Sequence, residues 1–423
     1  MASCTKVGLL GLGTVGTGLV ELLTRNAHLI ENKSGVSLEV SRALVRDLSK
    51  PRVLSKELIT NDPEEILGDP DINIVVEVMG GIEPAKSYIL RALENGKNVV
   101  TANKAVLAAH GLEIFEVAAR HGRQIGFEAS VCGGIPIIRA ITGGLVGNRV
   151  EELVGILNGT TNYILTRMHE EGITFADALA EAQAKGLAEA DPTFDVKGID
   201  AAHKLLILAE ILFQSRAELE DMVIEGIDTL ESIDIEAAQE FGFRVKLLAL
   251  ATRNNGSIDL RVHPSLVPND HPLASVSNEF NAVFMRGDAT GELIFYGKGA
   301  GSMPTASAVL SDIVEISRNP ESRLIWDPGK SVPFAPVEGD SRYYLRFPIF
   351  DRPGLIGRIA TILGDHSISI THALADLVCD ETNRGNVKII THRGNASAVR
   401  QALKEIEASG VLSSPPVALR IFH

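Results

Sequence analysis

The spacing of hydrophobic residues changes several times along the chain, and the first third alternates short apolar runs with segments of helical periodicity. Strands are predicted at residues 5–10, 36–45, 74–78, 99–100 and 124–127, and helices at 15–23 and 84–93. Strands that alternate with helices in this way are typical of an open α/β sheet. The sequence therefore predicts an α/β domain over residues 1–135.

A different pattern fills residues 136–300. Strands are predicted at 150–157, 245–252, 258–263, 282–285 and 293–296, and helices at 163–169 and 199–213. We expect the last four strands to form one sheet, the floor of an α+β domain for substrate binding and dimerisation or higher assembly. The glycines between Gly297 and Gly301 introduce a helix at 304–316. This helix is expected to return the chain to the first domain, which residues 300–320 would complete.

The last segment predicts a third domain. Residues 319–341 carry four prolines and form a linker by composition. Beyond them the pattern is β, α, β, β, α, β at residues 343–349, 355–363, 368–374, 387–392, 396–406 and 417–422. This order predicts a separate ferredoxin-like domain over residues 342–423.

Composition narrows the function classes. The 423 residues carry a net charge of −14, with no block of Lys and Arg to bind nucleic acid or an anionic membrane. No signal peptide or membrane-spanning run is predicted. Cys4, Cys132 and Cys379 are too scattered for a zinc cluster or a disulfide framework. We therefore expect a cytoplasmic enzyme with no nucleic-acid or membrane partner.

A glycine motif follows the first predicted strand and opens the first helix. It comprises Gly11, Leu12, Gly13, Thr14, Val15 and Gly16. In a dinucleotide-binding (Rossmann) fold these glycines allow a tight turn, close approach of the pyrophosphate and close packing of helix on strand, with phosphate at the helix N-terminus. The motif favours dinucleotide binding over an incidental glycine turn.

The end of the second strand bears on the choice of cofactor. Arg46, with Lys50 or Arg52 nearby, can neutralise a ribose 2′-phosphate, which favours NADP. Asp47 can hold a 2′-hydroxyl instead, so NAD stays open. A solvated basic turn without a ligand is the alternative.

Two further loops follow predicted strands of the first domain. Lys104 comes at the carboxyl end of strand 99–100, where open α/β sheets bind ligands, and a cation there opposes the helix dipole. Glu128 begins a glycine-rich loop whose exposed carbonyls, together with this carboxylate, can hold a hard cation. A tight crossover loop, with Glu128 in an ordinary hydrogen bond, is equally compatible.

The loop at 158–162, which contains Thr160, follows the first predicted strand of the second domain, at 150–157. Its hydroxyls and backbone N–H groups can bind a substrate carboxylate or the nicotinamide. Helix N-capping by Thr161 or Asn162 is the alternative.

The segment 186–204 is the most informative part of the chain. Helical spacing places Asp200 and Lys204 one turn apart on one face, and the preceding loop adds Glu189, Asp191 and Asp195. Several oxygen acceptors beside one Lys suit a small ligand that carries an ammonium and a hydroxyl. The alternative is an exposed ion pair that contributes roughly 0.3 to 0.5 kcal/mol.

These motifs together resemble the monofunctional homoserine dehydrogenase family over essentially the whole chain. The glycine motif, Asn103 and Lys104, residues 158–163 and above all 186–204 follow the family pattern, and the tail resembles an ACT regulatory domain at 351–354 and 368–370. The resemblance implies NAD(P)-dependent interconversion of L-aspartate 4-semialdehyde and L-homoserine, in the branch that leads to threonine, methionine and isoleucine. It also implies a homodimer or homotetramer, with threonine as the effector of the ACT domain.

The resemblance assigns site residues as well. Lys204 would be the proton donor, and Lys104 would assist at the nicotinamide end. Gly186, Glu189, Asp200 and Thr160 would bind substrate, and Gly301 would join the glycine motif and Arg46 at the cofactor. Glu128 and the carbonyls of Val131, Gly133 and Ile135 would hold a monovalent cation, sodium by analogy. Leu187 replaces an aromatic residue that relatives often carry, so a hydroxyl contact from that position is absent.

The chemistry follows from charge. Negative charge grows on the aldehyde oxygen during hydride transfer, and an ammonium beside it stabilises that charge and delivers a proton. We expect a second Lys in the cleft to lower the pKa of Lys204 while Asp200 opposes that shift. Two alternatives are an aldehyde dehydrogenase with Cys132 as nucleophile and a non-catalytic amino-acid sensor.

Overall fold

The computed structural model describes residues 4–254, 256–320, 332–334, 339–350, 352–377 and 384–422. Their strands form two sheets, one of six strands and one of eleven. Cys379 and Asp351, which the sequence analysis singled out, lie outside these residues, as does most of the predicted linker at 319–341. No helix in the described ranges is both long and apolar enough to cross a bilayer.

The first sheet is wholly parallel, with the strand order β3-β2-β1-β4-β5-β6 of a Rossmann fold. Its strands are β1 Cys4–Leu10, β2 Ser37–Leu44, β3 Ile59–Thr60, β4 Ile74–Glu77, β5 Asn98–Thr101 and β6 Ile125–Gly126. Its helices are α1 Thr14–Ser34, α2 Glu64–Leu67, α3 Ala85–Glu94 and α4 Lys104–His121. All four residues of β4 are buried, because helices cover both faces of the sheet.

The second sheet begins with five antiparallel strands in the order β12-β11-β7-β9-β10. They are β7 Val150–Ile156, β9 Phe243–Asn254, β10 Ser257–Pro268, β11 Phe280–Gly287 and β12 Gly291–Lys298, and the short β8 Val223–Ile224 pairs with β10. The sequence analysis expected β9 to β12 to share one sheet, and they do. β7 lies between β11 and β9, so the strand that leads to the 158–162 loop is central.

Seven helices accompany these strands in the described residues. They are α5 Ile137–Arg139, α6 Gly159–Glu171, α7 Phe175–Ala184, α8 Thr193–Val196, α9 Ile199–Phe213, α10 Ser232–Glu240 and α11 Ser302–Arg318. The buried apolar residues of α6 and α9 pack with those of β7, β9 and β10 in one core. α11 instead contributes Ala306, Val309 and Ile313 to the core of the first sheet, where they pack with Val7 and Leu19. The chain thus returns to the first domain after β12.

The C-terminal residues form the βαββαβ unit that the sequence predicts. Its elements are β13 Asp340–Phe350, α12 Leu355–Asp365, β14 Ile370–Leu377, β15 Arg384–Thr391, the two-residue β16 Gly394–Asn395, α13 Ala396–Ala408 and β17 Val417–Ile421. The strand order is β17-β13-β15-β14, and the apolar faces of α12 and α13 pack on one side of it.

The sequence analysis expected this unit to be separate from the second domain, but the two are joined. β17 pairs with β10 in parallel through Ser265 with Arg420 and Leu266 with Ile421, so one sheet of eleven strands runs through both domains. The pairing satisfies backbone groups that would otherwise form an open edge on each domain. Hydrophobic periodicity identifies strands and gives no signal about which edges pair.

A buried ion pair joins the same two domains. Arg346 on β13 donates from Nε to Oδ1 of Asp234 on α10 at 2.7 Å and from Nη2 to Oδ2 at 3.0 Å. The hydroxyl of Tyr344 donates to the same carboxylate at 3.1 Å. Asp234 is fully buried. The C-terminal domain is therefore fixed to the second domain by side chains as well as by the sheet.

Candidate active site

Lys104 is the first residue of α4 and follows β5 at the carboxyl edge of the first sheet. The side-chain oxygen of Asn103 caps the helix by accepting from the N–H of Val106 at 3.3 Å. The Asn103 amide in turn donates to the carbonyl of Gly81 at 2.7 Å. Neighbouring loops at the strand ends thus hold the start of α4, and with it the base of the Lys104 side chain.

Asp200 and Lys204 lie on α9, which begins at Ile199 directly after Gly198. Gly198 has a φ of 80°, a left-handed conformation in which the next residues turn sharply into the helix. The Nζ of Lys204 lies 2.7 Å from Oδ2 of Asp200, as the spacing of four residues predicts. Both residues are buried, Asp200 at 3% and Lys204 at 8% exposure, which excludes the exposed ion pair considered as the alternative.

The carboxylate of Asp200 is shared by two ammonium groups from different domains. Lys104 Nζ lies 2.6 Å from Oδ1, on the opposite side of the carboxylate from Lys204. Lys204 also donates to the carbonyl of Leu157 at the end of β7, at 2.7 Å. The two lysines therefore converge on one point at the junction of the first and second domains.

The contacts of Asp200 and Lys204 favour the ionised form of both groups through their pKa values. Burial raises the pKa of Asp200, but the ammoniums of Lys204 and Lys104 outweigh it and hold the pKa well below its usual range. Burial lowers the pKa of Lys204, but Asp200 reverses the effect and the pKa is raised. Of the two opposing effects expected on the pKa of Lys204, the effect of Asp200 is therefore the larger, and Lys204 stays protonated.

Asn158 orients the Asp200 carboxylate from the end of β7. Its Nδ2 donates to Asp200 Oδ2 and to Asp195 Oδ1, both at 2.7 Å. Its Oδ1 accepts from the N–H of Thr161 at 2.8 Å, which makes Asn158 the N-cap of α6. Helix capping was the alternative to ligand binding for this loop, and the capping residue is Asn158 rather than Thr161 or Asn162. The same amide performs both tasks.

Asn281 completes the surroundings of Lys204, and the sequence analysis missed it. Its Nδ2 donates at 2.9 Å to the carbonyl of Leu157, the same oxygen that accepts from Lys204. A buried Asn inside the apolar strand β11 was the signal that was available. Asn281 also contacts the thiol of Cys132.

A cleft of about 630 Å³ lies at the carboxyl edge of the first sheet. Its lining includes Gly11, Leu12, Gly13, Arg46, Asp47, Lys50 and Arg52. A side chain on Gly16 would clash with the carbonyl of Gly11, whereas the space beside Gly13 is open. Thr14 and Val15 begin α1, whose N-terminus points its free N–H groups towards this region. These features fit the pyrophosphate of a dinucleotide.

Comparison with known proteins agrees with this geometry. Models of two homoserine dehydrogenase families match, the NAD binding domain at residues 11–128 and the homoserine dehydrogenase domain at 136–314, and an ACT domain matches at 343–410. The homoserine dehydrogenase of Pseudomonas aeruginosa is 43% identical over 98% of both chains. The chain belongs to the homoserine dehydrogenase family. The protein is accordingly an oxidoreductase, and it has an NAD-binding domain.

Solved structures support the same conclusion. A homoserine dehydrogenase from Thiobacillus denitrificans has a TM-score of 0.93 at 43% identity, covering 100% of this chain and 99% of that one. A hyperthermophilic archaeal homoserine dehydrogenase in complex with NADPH has a TM-score of 0.63 at 29% identity, covering 74% of this chain and 97% of that one. Membership of this family also excludes the non-catalytic sensor.

Two of the other residues that the sequence analysis expected to bind substrate, Gly186 and Glu189, lie on the loop between α7 and α8, and the third, Thr160, lies in the first turn of α6. Gly186 turns the chain with a φ of 70° after α7. Thr160 is buried, and its hydroxyl donates to the carbonyl of Leu187 at 2.7 Å, which ties the loop to the start of α6. Glu189 is exposed. The structure thus places Thr160 against Leu187, the residue after Gly186, with Glu189 exposed to solvent.

Glu128 is buried at the start of the loop that was predicted to hold a cation. Its Oε1 accepts from the N–H of Ile138 and its Oε2 from the N–H of Arg139, both at 2.8 Å. The ordinary hydrogen bond considered in the sequence analysis is therefore present. Each carboxylate oxygen keeps a second lone pair. Among the described residues no group of three or more His, Cys, Asp or Glu side chains converges as a metal site.

The surroundings of Cys132 are unsuited to a nucleophile. This residue is fully buried, and burial raises the pKa of its thiol to about 11. The thiolate is the reactive form, so a thiol with this pKa is inert at neutral pH. The aldehyde dehydrogenase alternative is excluded on this ground and by the family match.

Proposed function

We propose that this protein reduces L-aspartate 4-semialdehyde to L-homoserine with Lys204 as the acid that protonates the carbonyl oxygen. The observation that carries the proposal is the convergence of Lys104 and Lys204 on Asp200. A protonated amine fixed in a buried position stabilises an oxyanion more than the same amine in water does, because it needs no reorganisation. The nicotinamide, when bound, supplies the hydride, or accepts it in the reverse direction.

The other residues have distinct roles in this proposal. Asp200 holds both ammoniums in place and keeps Lys204 charged. Together with Glu189, Gly186 and Thr160 it binds the amino-acid part of the substrate, whose ammonium needs carboxylate partners. Lys104, which reaches Asp200 from the first domain, assists at the nicotinamide end.

We propose NADP as the preferred cofactor. Arg46, Lys50 and Arg52 line the cleft beyond the end of β2 and can neutralise a 2′-phosphate. In Asp47, which would hold a 2′-hydroxyl, Oδ1 already accepts from the N–H and the hydroxyl of Ser49, at 2.9 and 2.6 Å. Gly301, with a φ of 121° at the start of α11, belongs to the same proposed site.

We also propose a monovalent cation, sodium by analogy, held by Glu128 and the carbonyls of Val131, Gly133 and Ile135. The carboxylate is buried, and Gly133 has a φ of 49° that turns the loop after it. Such a cation would brace the junction between the first two domains.

The assembly and its regulation complete the proposal. The edge strand β12 exposes Ile294 and Tyr296, at 42% and 56%, which supports a homodimer or homotetramer. The ACT domain supports an amino-acid effector, for which threonine is our candidate. Cytoplasmic location stays a prediction, and the free thiols of Cys4 and Cys132 are compatible with it.

Initial-rate kinetics test the proposal directly. Dialysed protein should oxidise NADPH when L-aspartate 4-semialdehyde is added, and it should oxidise NADH with a higher KM. Threonine should lower the rate, and sodium should be compared with tetramethylammonium at constant ionic strength. Light scattering should give a mass above that of the monomer. Consumption of NADPH without added aldehyde, or none with it, would contradict the assigned reaction.

A further inference from the structure

Asn281 is a polar residue at a buried position of β11. It is 1% exposed, and its neighbours in the strand, Phe280, Ala282 and Val283, are apolar. It pairs with Gly297 of β12, one position before the pairing of β11 with β7 begins at Ala282. A buried polar group costs free energy unless it is hydrogen-bonded, so an amide at this position needs a physical reason.

The hydrogen bonds of this amide are incomplete. Its Nδ2 donates to the carbonyl of Leu157 at 2.9 Å and interacts with the thiol of Cys132. Its Oδ1 is buried, and no residue in the described ranges donates to it. The reverse orientation of the amide would set Oδ1 against the Leu157 carbonyl, acceptor against acceptor. The observed orientation is therefore the better one, although it leaves Oδ1 without a donor.

Stability alone does not account for an amide at position 281. The carbonyl of Leu157 also accepts from Nζ of Lys204 at 2.7 Å, so it would keep a partner without Asn281. A leucine of nearly the same shape would leave no unpartnered oxygen, and a buried acceptor without a donor costs free energy. What Asn281 adds is a second donor on the carbonyl that binds Lys204.

This carbonyl determines the direction in which Lys204 points. An ammonium has three N–H groups in a tetrahedral arrangement, and a carbonyl oxygen has two lone pairs. Among the described residues two acceptors bind Lys204, Oδ2 of Asp200 and the carbonyl of Leu157, both at 2.7 Å. These two bonds fix the direction of the third N–H. Asn281 occupies one lone pair of the Leu157 carbonyl and thus restricts Lys204 to the other.

Backbone packing holds the amide itself. A Cβ on Gly299 would overlap the amide of Asn281, so this contact leaves no room for a side chain at position 299. The φ of Gly299 is outside the left-handed region, so the contact rather than the backbone conformation requires glycine there. The carbonyl of Gly299 packs in turn against Gly133. The chain that leads from β12 to α11 therefore fixes the amide plane of Asn281.

We propose that Asn281 is a positioning residue for the reduction, which fixes the carbonyl of Leu157 and thereby directs the third N–H of Lys204 towards the carbonyl oxygen of the substrate. This inference rests on the proposed role of Lys204 as the acid. In this role Asn281 acts through Lys204 and touches neither substrate nor cofactor. Proton delivery depends on the alignment of donor and acceptor, and a small misplacement of a catalytic group costs roughly tenfold to a hundredfold in rate.

Asn281→Leu tests this role, because it removes the donor at almost constant shape. We expect kcat to fall about tenfold, with the KM for L-aspartate 4-semialdehyde and the KM for NADPH nearly unchanged. The solvent deuterium isotope effect on kcat should increase, since the misdirected proton transfer limits the rate more strongly. Met285→Leu, a volume-conserving change at a buried position of the same strand, is the matched control and should leave these quantities unchanged.

A double variant separates positioning from a general effect on the fold. In Lys204→Ala no ammonium remains to be directed, so the addition of Asn281→Leu should slow that variant no further. Losses of rate that multiply in the double variant would overturn the proposal. A normal kcat with a normal isotope effect in Asn281→Leu would overturn it as well.

Gly299→Ala gives an independent measurement should Asn281→Leu fail to fold. Its Cβ must displace the amide, so kcat should fall, whereas in Asn281→Ala, where the amide is absent, the same change should cost no further rate. Equal losses from Gly299→Ala in both backgrounds would contradict the proposal.

The assays distinguish this inference from the proposed function on which it rests. Turnover close to that of the unaltered chain in Lys204→Ala would overturn Lys204 as the acid, and the positioning role with it. A slow Lys204→Ala together with an unimpaired Asn281→Leu would overturn the positioning role alone.

Discussion

Nζ of Lys104 and Oδ1 of Asp200 lie 2.6 Å apart, and this ion pair crosses from the first sheet to the second domain. Lys104 is fixed by the start of α4 and Asp200 by the start of α9. The relative position of the two domains therefore sets the geometry of the ammonium groups of Lys104 and Lys204 around Asp200. Three predictions concern these ammoniums and their carboxylate, and two more concern the cofactor cleft and the ion pair between Arg346 and Asp234.

Replacement of Lys204 by Ala should reduce turnover by about a hundredfold or more, because the oxyanion loses both its counter-charge and its proton. Cofactor affinity should be unchanged, since Lys204 does not line the cofactor cleft. Steady-state rates and a fluorescence titration with NADPH measure the two quantities. Lys33→Ala, an exposed position at the end of α1, is the matched control. Turnover close to normal in Lys204→Ala would refute its role as the acid.

Replacement of Asp200 by Asn should move the alkaline limb of the kcat/KM profile for reduction to lower pH. The pKa of Lys204 is raised above its ordinary 10.5, so the ammonium persists through neutral pH and the rate should fall only above about 10.5. Without the carboxylate, burial acts on the ammonium unopposed and lowers its pKa. An identical alkaline limb in Asp200→Asn would show that another group controls the rate.

The same pKa shifts predict how stability depends on pH. A raised pKa of Lys204 contributes stability that is fully present below 10.5 and is lost as the pH rises through the folded-state pKa. A lowered pKa of Asp200 contributes stability above 3.8 that is lost as the pH falls through the folded-state pKa. Urea unfolding of the unaltered chain and of Asp200→Asn should therefore differ most between these two limits, and least at either extreme.

Replacement of Arg46 by Ala should raise the KM for NADPH about tenfold, which corresponds to about 1.4 kcal/mol, and leave the KM for NADH nearly unchanged. The reason is that only the 2′-phosphate needs the guanidinium. Arg25→Ala, exposed on α1, serves as the control for a general loss of positive charge. Equal increases for both cofactors would mean that Arg46 does not distinguish them.

Replacement of Arg346 by Ala should destabilise the chain by about 3 to 5 kcal/mol, because it leaves the carboxylate of Asp234 buried without its partner. The double variant Arg346→Met with Asp234→Leu should recover most of that loss, since no unpaired charge remains. Urea unfolding measures both, with the exposed Arg358→Ala as control. If the single and double variants lose the same stability, the ion pair is not what fixes the ACT domain.

Much of the fold and part of the site follow from local sequence. Short continuous apolar runs are sufficient to predict the strands of the first sheet, because a strand that is buried on both faces has few polar positions. Glycines at 11, 13 and 16 predict the cofactor turn: a side chain at Gly11 or Gly16 would meet nearby backbone atoms, and the absence of one at Gly13 leaves open space for a phosphate. The pair of Asp200 and Lys204 follows from helical spacing alone.

Other features were outside the reach of such patterns. Asn158 and Asn281 are single buried amides whose partners lie far along the chain, so their roles depend on the meeting of β7, α9 and β11. Considered alone, the segment around Asn158 predicts a helix cap and the segment around Asn281 predicts a strand.

The sequence by itself determined the element types, the glycine motif and the placement of Asp200 and Lys204 on one helix face, because each depends on residues within a few positions of one another. Only the tertiary structure decided that Lys104 reaches Asp200 from another domain, that Asp200 outweighs burial in keeping Lys204 charged, and that β17 joins β10. These are long-range pairings, and their energies arise from distances and desolvation that exist only after the domains have packed together.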